Sequence, residues 1–355
     1  MKRLLLTFAA LVMLSQTALS QNAQPPYEVA TWPSFRQAAI SYTFDDGCPN
    51  QFKVAIPMFD EFGFKATLFM VSSWVTSWTE LQAVAANGHE VASHTVSHPN
   101  LANIPLQQQI VELQNSKSTI ESHISGIRCL TIAYPFCAPG IDSVCRQRYI
   151  SARGCQGFIE PKTPGSYLNV SSVPCGSLAG VKVFDDFKVN FDKAAAANGW
   201  CVFLLHGVDN DGGYSPIASA ELRRSLAYLS ERKGTFWVTT FANATLYSKE
   251  RDAVKVSEIS ASKKAIKLQV TDTLPDSIYC YPITLRRPMP QGWPSAKVTQ
   301  GKRDVATRVA RVGATAYLIF DVVPDAGEVK LARCSTPAIP EEVAGSGNEP
   351  NGVKR

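Results

Sequence analysis

Short apolar runs alternate along this chain with longer segments whose apolar residues recur at helical spacing. Residues 38–44 (AAISYTF) form an apolar, β-compatible run, and residues 52–64 then predict a helix. A second short strand is predicted at 66–71 (ATLFMV), a helix over 79–87 stopped by Gly88, and a third strand at 90–93. Pro105 opens a long helix at its first turn, with Leu106, Ile110, Leu113, Ile120 and Ile124 on one face. Further strands are predicted at 129–134, 200–205 and 235–239, and helices at about 186–198, at about 219–231 and to about 251. Strands alternating with helices predict a parallel sheet with crossovers. The expected fold class is α/β, an incomplete (β/α) barrel over residues 35–251.

From about residue 252 the period changes to two. Val254, Val256 and Ile259, then Ile266, Leu268 and Val270, alternate with polar residues, and Ala316–Phe320 and Glu328–Leu331 follow. No helical period is present, which predicts a C-terminal all-β, sandwich-like domain over 252–336. Residues 21–34 read as a polar, Pro-containing lead-in, and the polar tail 337–355 is expected to be disordered.

The chain opens on Met1-Lys2-Arg3, an apolar run to about Leu14 and then Ala18-Leu19-Ser20. Two cations, an apolar stretch too short for a bilayer and small residues at −3 and −1 predict a signal peptide over 1–20. The mature chain is therefore expected to be secreted or periplasmic, with no membrane span. Losing Lys2 and Arg3 lowers the formal charge from +5 by two, and no basic stripe remains, which argues against a nucleic-acid partner. The pattern carries no sign of oligomeric state.

Nine cysteines in a secreted chain predict disulfides. Cys280 and Cys334, near the ends of the β-rich region, are expected to pair. Cys48, Cys129, Cys137, Cys145, Cys155, Cys175 and Cys201 leave at least one free thiol. No CxxC pair exists, which argues against a zinc-thiolate site.

Three segments carry the chemistry: Thr43-Phe44-Asp45-Asp46-Gly47, Ser93-His94-Thr95-Val96-Ser97-His98-Pro99 and Leu204-Leu205-His206. His94 and His98, one turn apart, with the Asp46 carboxylate, can hold a divalent metal and leave positions open for water and substrate. That donor set suits zinc, cobalt, nickel or manganese. Asp45 is placed to take a proton from water and His206 to protonate a leaving nitrogen or oxygen. All of these residues fall at the C-terminal ends of predicted strands, where α/β folds carry their sites.

The order and wording of these segments resemble the polysaccharide deacetylases of carbohydrate esterase family four, the nodulation-factor deacetylase homology domain. Residues 43–47 look like the first motif, base followed by metal Asp, and 88–99 like the second. Ala133-Tyr134-Pro135-Phe136 looks like the third, and Leu204-Leu205-His206-Gly207 like the fifth. The resemblance covers roughly residues 35–250. It implies a distorted (β/α) barrel and a metal-dependent hydrolase, zinc for preference, acting on an N- or O-acetylated glycan, with Asp45 as base, His206 as acid and Asp46, His94 and His98 on the metal. It also implies that Tyr134, Pro135 and Phe136 shape the groove wall and offer a backbone amide to the oxyanion.

Three departures stand out. Ala133 occupies the place where an Arg often orients the catalytic Asp, although some members read Ala-Tyr-Pro there. The fourth motif, an Asp-Trp behind the catalytic His, is absent, leaving Asp185 and Asp186 as candidates to back His206. Cys137 stands where Gly is common and is a disulfide candidate. His89 and His123 read as structural. Trp74 and Trp78 could stack on sugars, with core packing favoured. The rival functions are a catalytically silent carbohydrate-binding protein on the same scaffold and an amidase for small amides, which the signal peptide disfavours.

Overall fold

The computed structural model describes residues 27–336 and 341–342; the signal-peptide expectation and most of the expected tail lie outside them. The chain begins with β1 (Glu28–Val29) and β2 (Ala38–Asp45), followed by β3 (Thr67–Met70), β4 (Glu90–Ser93), β5 (Thr131–Ala133), β6 (Ser151–Arg153), β7 (Val173–Pro174), β8 (Trp200–Leu205) and β9 (Phe236–Val238). Helices α1 (Ile56–Glu61), α2 (Trp78–Ala86), α3 (Leu106–His123), α4 (Asp142–Cys145), α5 (Phe184–Ala196), α6 (Ser219–Ser230) and α7 (Phe241–Ala253) alternate with them.

Strands β6-β5-β4-β3-β2-β8-β7 form one parallel sheet in that order, and β9 pairs with the first residues of β2. A single bridge between Arg153 and Val170 joins the far edges. The result is the expected distorted (β/α) barrel. Two of its strands, β6 and β7, fall in a stretch of chain where the sequence pattern shows none, because runs of two or three residues have no measurable period.

The pleat decides which side chains reach the barrel interior. Along β2, Ile40, Tyr42 and Phe44 pack outward against the helices, while Ser41, Thr43 and Asp45 take the alternate positions. The same parity turns Ala92 and His94, Ala133, Arg153, and Val202, Leu204 and His206 inward. Ile132, Tyr134, Ala152, Phe203 and Leu205 join the outer core. The rim of the barrel is thus furnished by residues two apart on four or five strands.

Helix α3 departs from its predicted face. Leu106 is half-exposed, and the buried residues are Gln109, Glu112, Leu113, Ser116 and Ile120. The helix is rotated because its polar groups have partners inside: the Ser93 and Ser116 hydroxyls meet at 2.8 Å, and Glu112 serves the loop after β4.

The C-terminal all-β part contains β10 (Lys255–Ala261), β11 (Ala265–Thr271), β12 (Ile283–Pro288), β13 (Ser295–Gln300), β14 (Arg303–Val305), β15 (Thr307–Val312), β16 (Thr315–Val322), β17 (Val329–Cys334) and β18 (Glu341–Glu342). They form two five-stranded sheets, β1-β12-β16-β15-β18 and β10-β11-β17-β13-β14. Glu341–Glu342, within the tail expected to be disordered, pairs in parallel with Ala310 and Arg311. The lead-in is built into both parts: β1 extends the first sheet, and Trp32, fully buried, donates its indole N–H to Asn198 O. Cys280 and Cys334 are not paired. Cys334 ends β17 in one sheet and Cys280 precedes β12 in the other, so the topology separates them.

Glu250 on α7 marks the seam between the two parts. One carboxylate oxygen accepts from Tyr281 N at 2.6 Å, and the other is buried with no partner. Burial, reinforced by Asp272 and Asp276, pushes this carboxyl up to about 7. The folded state therefore binds the proton more tightly than the unfolded chain, and stability falls as pH rises from the ordinary carboxylate range through 7. Glu250→Gln should open a gap of a few degrees in Tm over the parent as pH rises from 5 to 8, measured by calorimetry. A constant gap across that range would exclude Glu250 as the source.

Candidate metal centre

Asp45 ends β2 with its carboxylate in the barrel and only 2% exposed. Asp46 breaks the strand with φ 73°, and Gly47 follows at φ 75°. The turn that presents Asp46 needs glycine for this backbone angle, whereas a Cβ at Gly47, 2.5 Å from Met70 Cε, would be met by a shift of that flexible side chain. The break puts neighbouring carboxylates to different uses: Asp45 continues the inward row and Asp46 leans across the rim.

There Asp46 Oδ1 lies 3.6 Å from both His94 Nε2 and His98 Nε2, too far for hydrogen bonds. This oxygen is buried and has no partner. The three donor atoms lie within 4.8 Å of one another and form the only such group of three among the described residues. An orphaned anionic oxygen facing two imidazole nitrogens fits a divalent cation.

The imidazoles are prepared for that role. His94 Nδ1 donates to Ala133 O at 2.8 Å, which leaves the Nε2 lone pair facing Asp46. Burial, opposed by Asp45 and Asp46, lowers the His94 pKa and favours the neutral ring. Thr95 and His98 both adopt left-handed backbone, at φ 68° and 61°, where non-glycine residues are uncommon. Glu112 holds this loop: its carboxylate accepts from Val96 N at 2.8 Å, Ser97 N at 3.0 Å and Ser97 Oγ at 2.6 Å. Glu112→Ala should weaken metal binding by about 10–100-fold, measured by competition with a chelating dye.

The second carboxylate has a partner that sequence reasoning missed. Arg153 Nη2 donates to Asp45 Oδ2 at 2.5 Å, and Arg153 Nη1 lies 3.3 Å from Ser172 Oγ. Arg153 is fully buried, its guanidinium 5.4 Å from the centre of the Phe69 ring. It stands opposite Ala133 in the β5–β6 register, so the cation absent from one strand is supplied from the next at the same inward parity. Burial alone would raise the Asp45 carboxyl; Arg153, His94 and His206 outweigh it and hold the group below the usual carboxylate range. Its other oxygen, Oδ1, is buried without a partner.

His206 follows β8 with Nε2 4.0 Å from Asp45 Oδ2. Its Nδ1 is buried with no partner. Asp186 does not back it: that carboxylate accepts from Lys182 N and Val183 N at the start of α5, and Asp185 lies in the same first turn. Gln51, also missed, fixes the two strand ends together by donating to Asp45 O at 2.5 Å and His206 O at 3.0 Å. Asp211 does the same for the loops, accepting from Asn50 N and Val208 N.

The segment Ala133–Phe136 splits. Outward parity turns the Tyr134 ring into the core, where its hydroxyl donates to Leu168 O at 2.9 Å, so this side chain does not line the site. Pro135 is buried, whereas Phe136 is 66% exposed, with φ 57° and its ring 4.7 Å from that of His98. Trp74, 50% exposed, packs on His98 from another loop, so the core-packing expectation fails for it. Trp78 instead stacks on His123. His89 is structural: Nδ1 accepts from Ala66 N, and Nε2 meets Asp60.

Comparison with known proteins gives likenesses for part and for most of the chain. Residues 34–149 match the family model for polysaccharide deacetylases. A gellan lyase of Bacillus sp. is 28% identical over 329 residues, covering 86% of this chain and 13% of the relative. A chitooligosaccharide deacetylase of Bradyrhizobium sp. is 37% identical over 67 residues, 18% of this chain and 30% of the relative. The chain thus spans less than a third of the length of either. The solved Xyl-CE4 domain of a multidomain xylanase from the hindgut metagenome of Trinervitermes trinervoides aligns with TM-score 0.43 at 19% identity, covering 58% of this chain and 89% of that one.

Proposed function

We propose that this protein is a secreted, metal-dependent hydrolase that removes acetyl groups from an acetylated polysaccharide. The observation that carries the reading is the orphaned Asp46 oxygen facing His94 and His98, one residue from a buried carboxylate held ionised by Arg153. Asp46, His94 and His98 would hold a divalent ion, zinc for preference. When bound, that ion supplies Lewis acidity and lowers the pKa of water.

The chain's own residues do the rest. Asp45 accepts a proton from the attacking water through its free Oδ1, while Arg153 keeps Oδ2 occupied. The Phe136 backbone N–H faces the developing oxyanion, a role taken over from the family resemblance. His206 gives a proton to the departing nitrogen or oxygen. Gln51 and Asp211 hold base and acid in fixed relation.

A glycan substrate is supported by the rim. Trp74 and Phe136 flank His98, and Tyr214, 61% exposed, packs edge-on to His206. A cleft of about 330 Å³ beside Gly47 adds Lys53, Trp74 and Glu80. Flat aromatic faces suit pyranose rings. Secretion is supported by the disulfide Cys137–Cys155, and no helix among the described residues is long and apolar enough to cross a membrane.

Arg153 favours catalysis over a silent binding protein, because the gap left by Ala133 is filled. The deciding experiment is acetate release from chitin oligomers, peptidoglycan, acetylxylan and acetylated gellan. Release from at least one of these, lost with a chelator, is expected. Glycan binding without turnover on all of them would favour the silent reading.

A further inference from the structure

We propose that the Cys137–Cys155 disulfide is a positioning element of this site, setting Phe136 and Arg153 relative to each other through one covalent bond. The proposal rests on the reading that the Phe136 N–H and Asp45 take part in the reaction.

Strands β5 and β6 pair over Thr131–Ala133 against Ser151–Arg153, flanked by a bond from Ile150 N to Leu130 O at 2.8 Å before them and one from Tyr134 N to Arg153 O at 3.1 Å after them. Beyond it the chains part. After β5 the backbone passes through two successive left-handed residues, Phe136 and Cys137, both at φ 57°. After β6 it turns away, Gly154 N donating to Val170 O at 2.8 Å. The disulfide spans this divergence with its Cα atoms 5.7 Å apart.

Cys137 directly follows Phe136, and Cys155 lies two residues beyond Arg153. Consecutive left-handed non-glycine residues persist only when their surroundings over-determine them. A cross-link at the second residue is such a constraint. The bond therefore couples the residue that presents the amide to the residue that donates to Asp45 Oδ2. Asp46, His94 and His98 lie outside the stapled segment, on the loops after β2 and β4. Both cysteines are partly exposed, whereas Cys48, Cys129, Cys145, Cys175 and Cys201 are buried thiols.

This arrangement separates positioning from plain stabilisation. A cross-link that only closed a loop would change Tm and leave the folded protein's kcat alone. The test is the double variant Cys137→Ser/Cys155→Ser, assayed where circular dichroism shows it folded. Expected are a kcat lower by about 10–100-fold, as for a misplacement near 1 Å, and zinc affinity equal to the parent's. Amide hydrogen exchange should quicken only within 134–138 and 153–157. An unchanged kcat, a zinc affinity that falls with kcat, or faster exchange throughout the barrel would each overturn the proposal.

If the variant does not fold, the folded parent is reduced with a water-soluble phosphine and read the same way. The phosphine becomes its oxide, one water supplying the oxygen and both thiol protons. Should the parent release acetate from no substrate, the deacetylase reading fails. The exchange and zinc measurements then still decide whether the bond holds Phe136 and Arg153 locally.

Discussion

Replacing Arg153 by methionine is expected to lower turnover by as much as replacing Asp45 by asparagine, on the order of 10²–10⁴-fold. Asp45 is almost fully buried, and its strongest stabilising partner is the Arg153 guanidinium. Stripping one partner from a buried ion pair costs about 3–5 kcal/mol if the other stays charged. Each pKa unit corresponds to about 1.4 kcal/mol, so taking up a proton at neutral pH is the cheaper response.

Asp45 in Arg153→Met would then carry its proton where the parent carries none, and a protonated carboxyl cannot act as base. The direction of the pH effect follows. In the parent the folded pKa is depressed, so the ion pair's contribution to stability is present above the ordinary carboxylate pKa and lost as pH falls through the folded value. In the variant burial dominates, and the acid limb of kcat/KM moves to higher pH with partial recovery in alkaline buffer. Arg153→Lys keeps a charge but loses the second arm toward Ser172, so it should fall between the two. Activity within a few fold of the parent with an unmoved acid limb would reduce Arg153 to a packing residue.

The miss at Arg153 shows where the sequence stops being informative. The barrel strands that carry Asp45, His94 and His206 are four to eight residues long, with an apolar content that announces them. Their register then follows from the period of two, and with it the inward direction of all three side chains. Strand β6 has only three residues, Ser-Ala-Arg, and its existence depends on pairing with β5. Its arginine becomes a site residue only once Thr131–Ala133 is laid beside it.

Gln51 and Glu112 were hidden for a related reason. Each acts on groups of other loops and strand ends, and a Gln or Glu on a helix reads as a solvated face until the fold buries it. The Cys280–Cys334 expectation failed because proximity to domain ends says nothing about which sheet a strand joins. Chemistry written in adjacent residues was readable, and support assembled from distant ones was not.

Asp46→Ala should abolish the thermal response of the protein to zinc while leaving the metal-free fold as stable as the parent. Asp46 supplies the only anion among the three ligand positions, and its Oδ1 has no hydrogen-bond partner to lose. Its removal therefore breaks no hydrogen bond at Oδ1 in the metal-free state. In the parent, a ligand at about a thousand times its Kd stabilises the native state by about 4 kcal/mol. For a protein of this size that is a Tm rise on the order of 10 °C. Two neutral imidazoles alone should give far less, since loss of an outer-shell partner already weakens binding by about 10–100-fold. Acetate release from Asp46→Ala should match that of chelator-treated parent, and zinc should restore only the parent. If Asp46→Ala kept the parent's zinc-induced shift, the ion would be held elsewhere and the Asp46, His94 and His98 assignment would fall. A large loss of metal-free stability would instead show that the Asp46 carboxylate supports the turn rather than a cation.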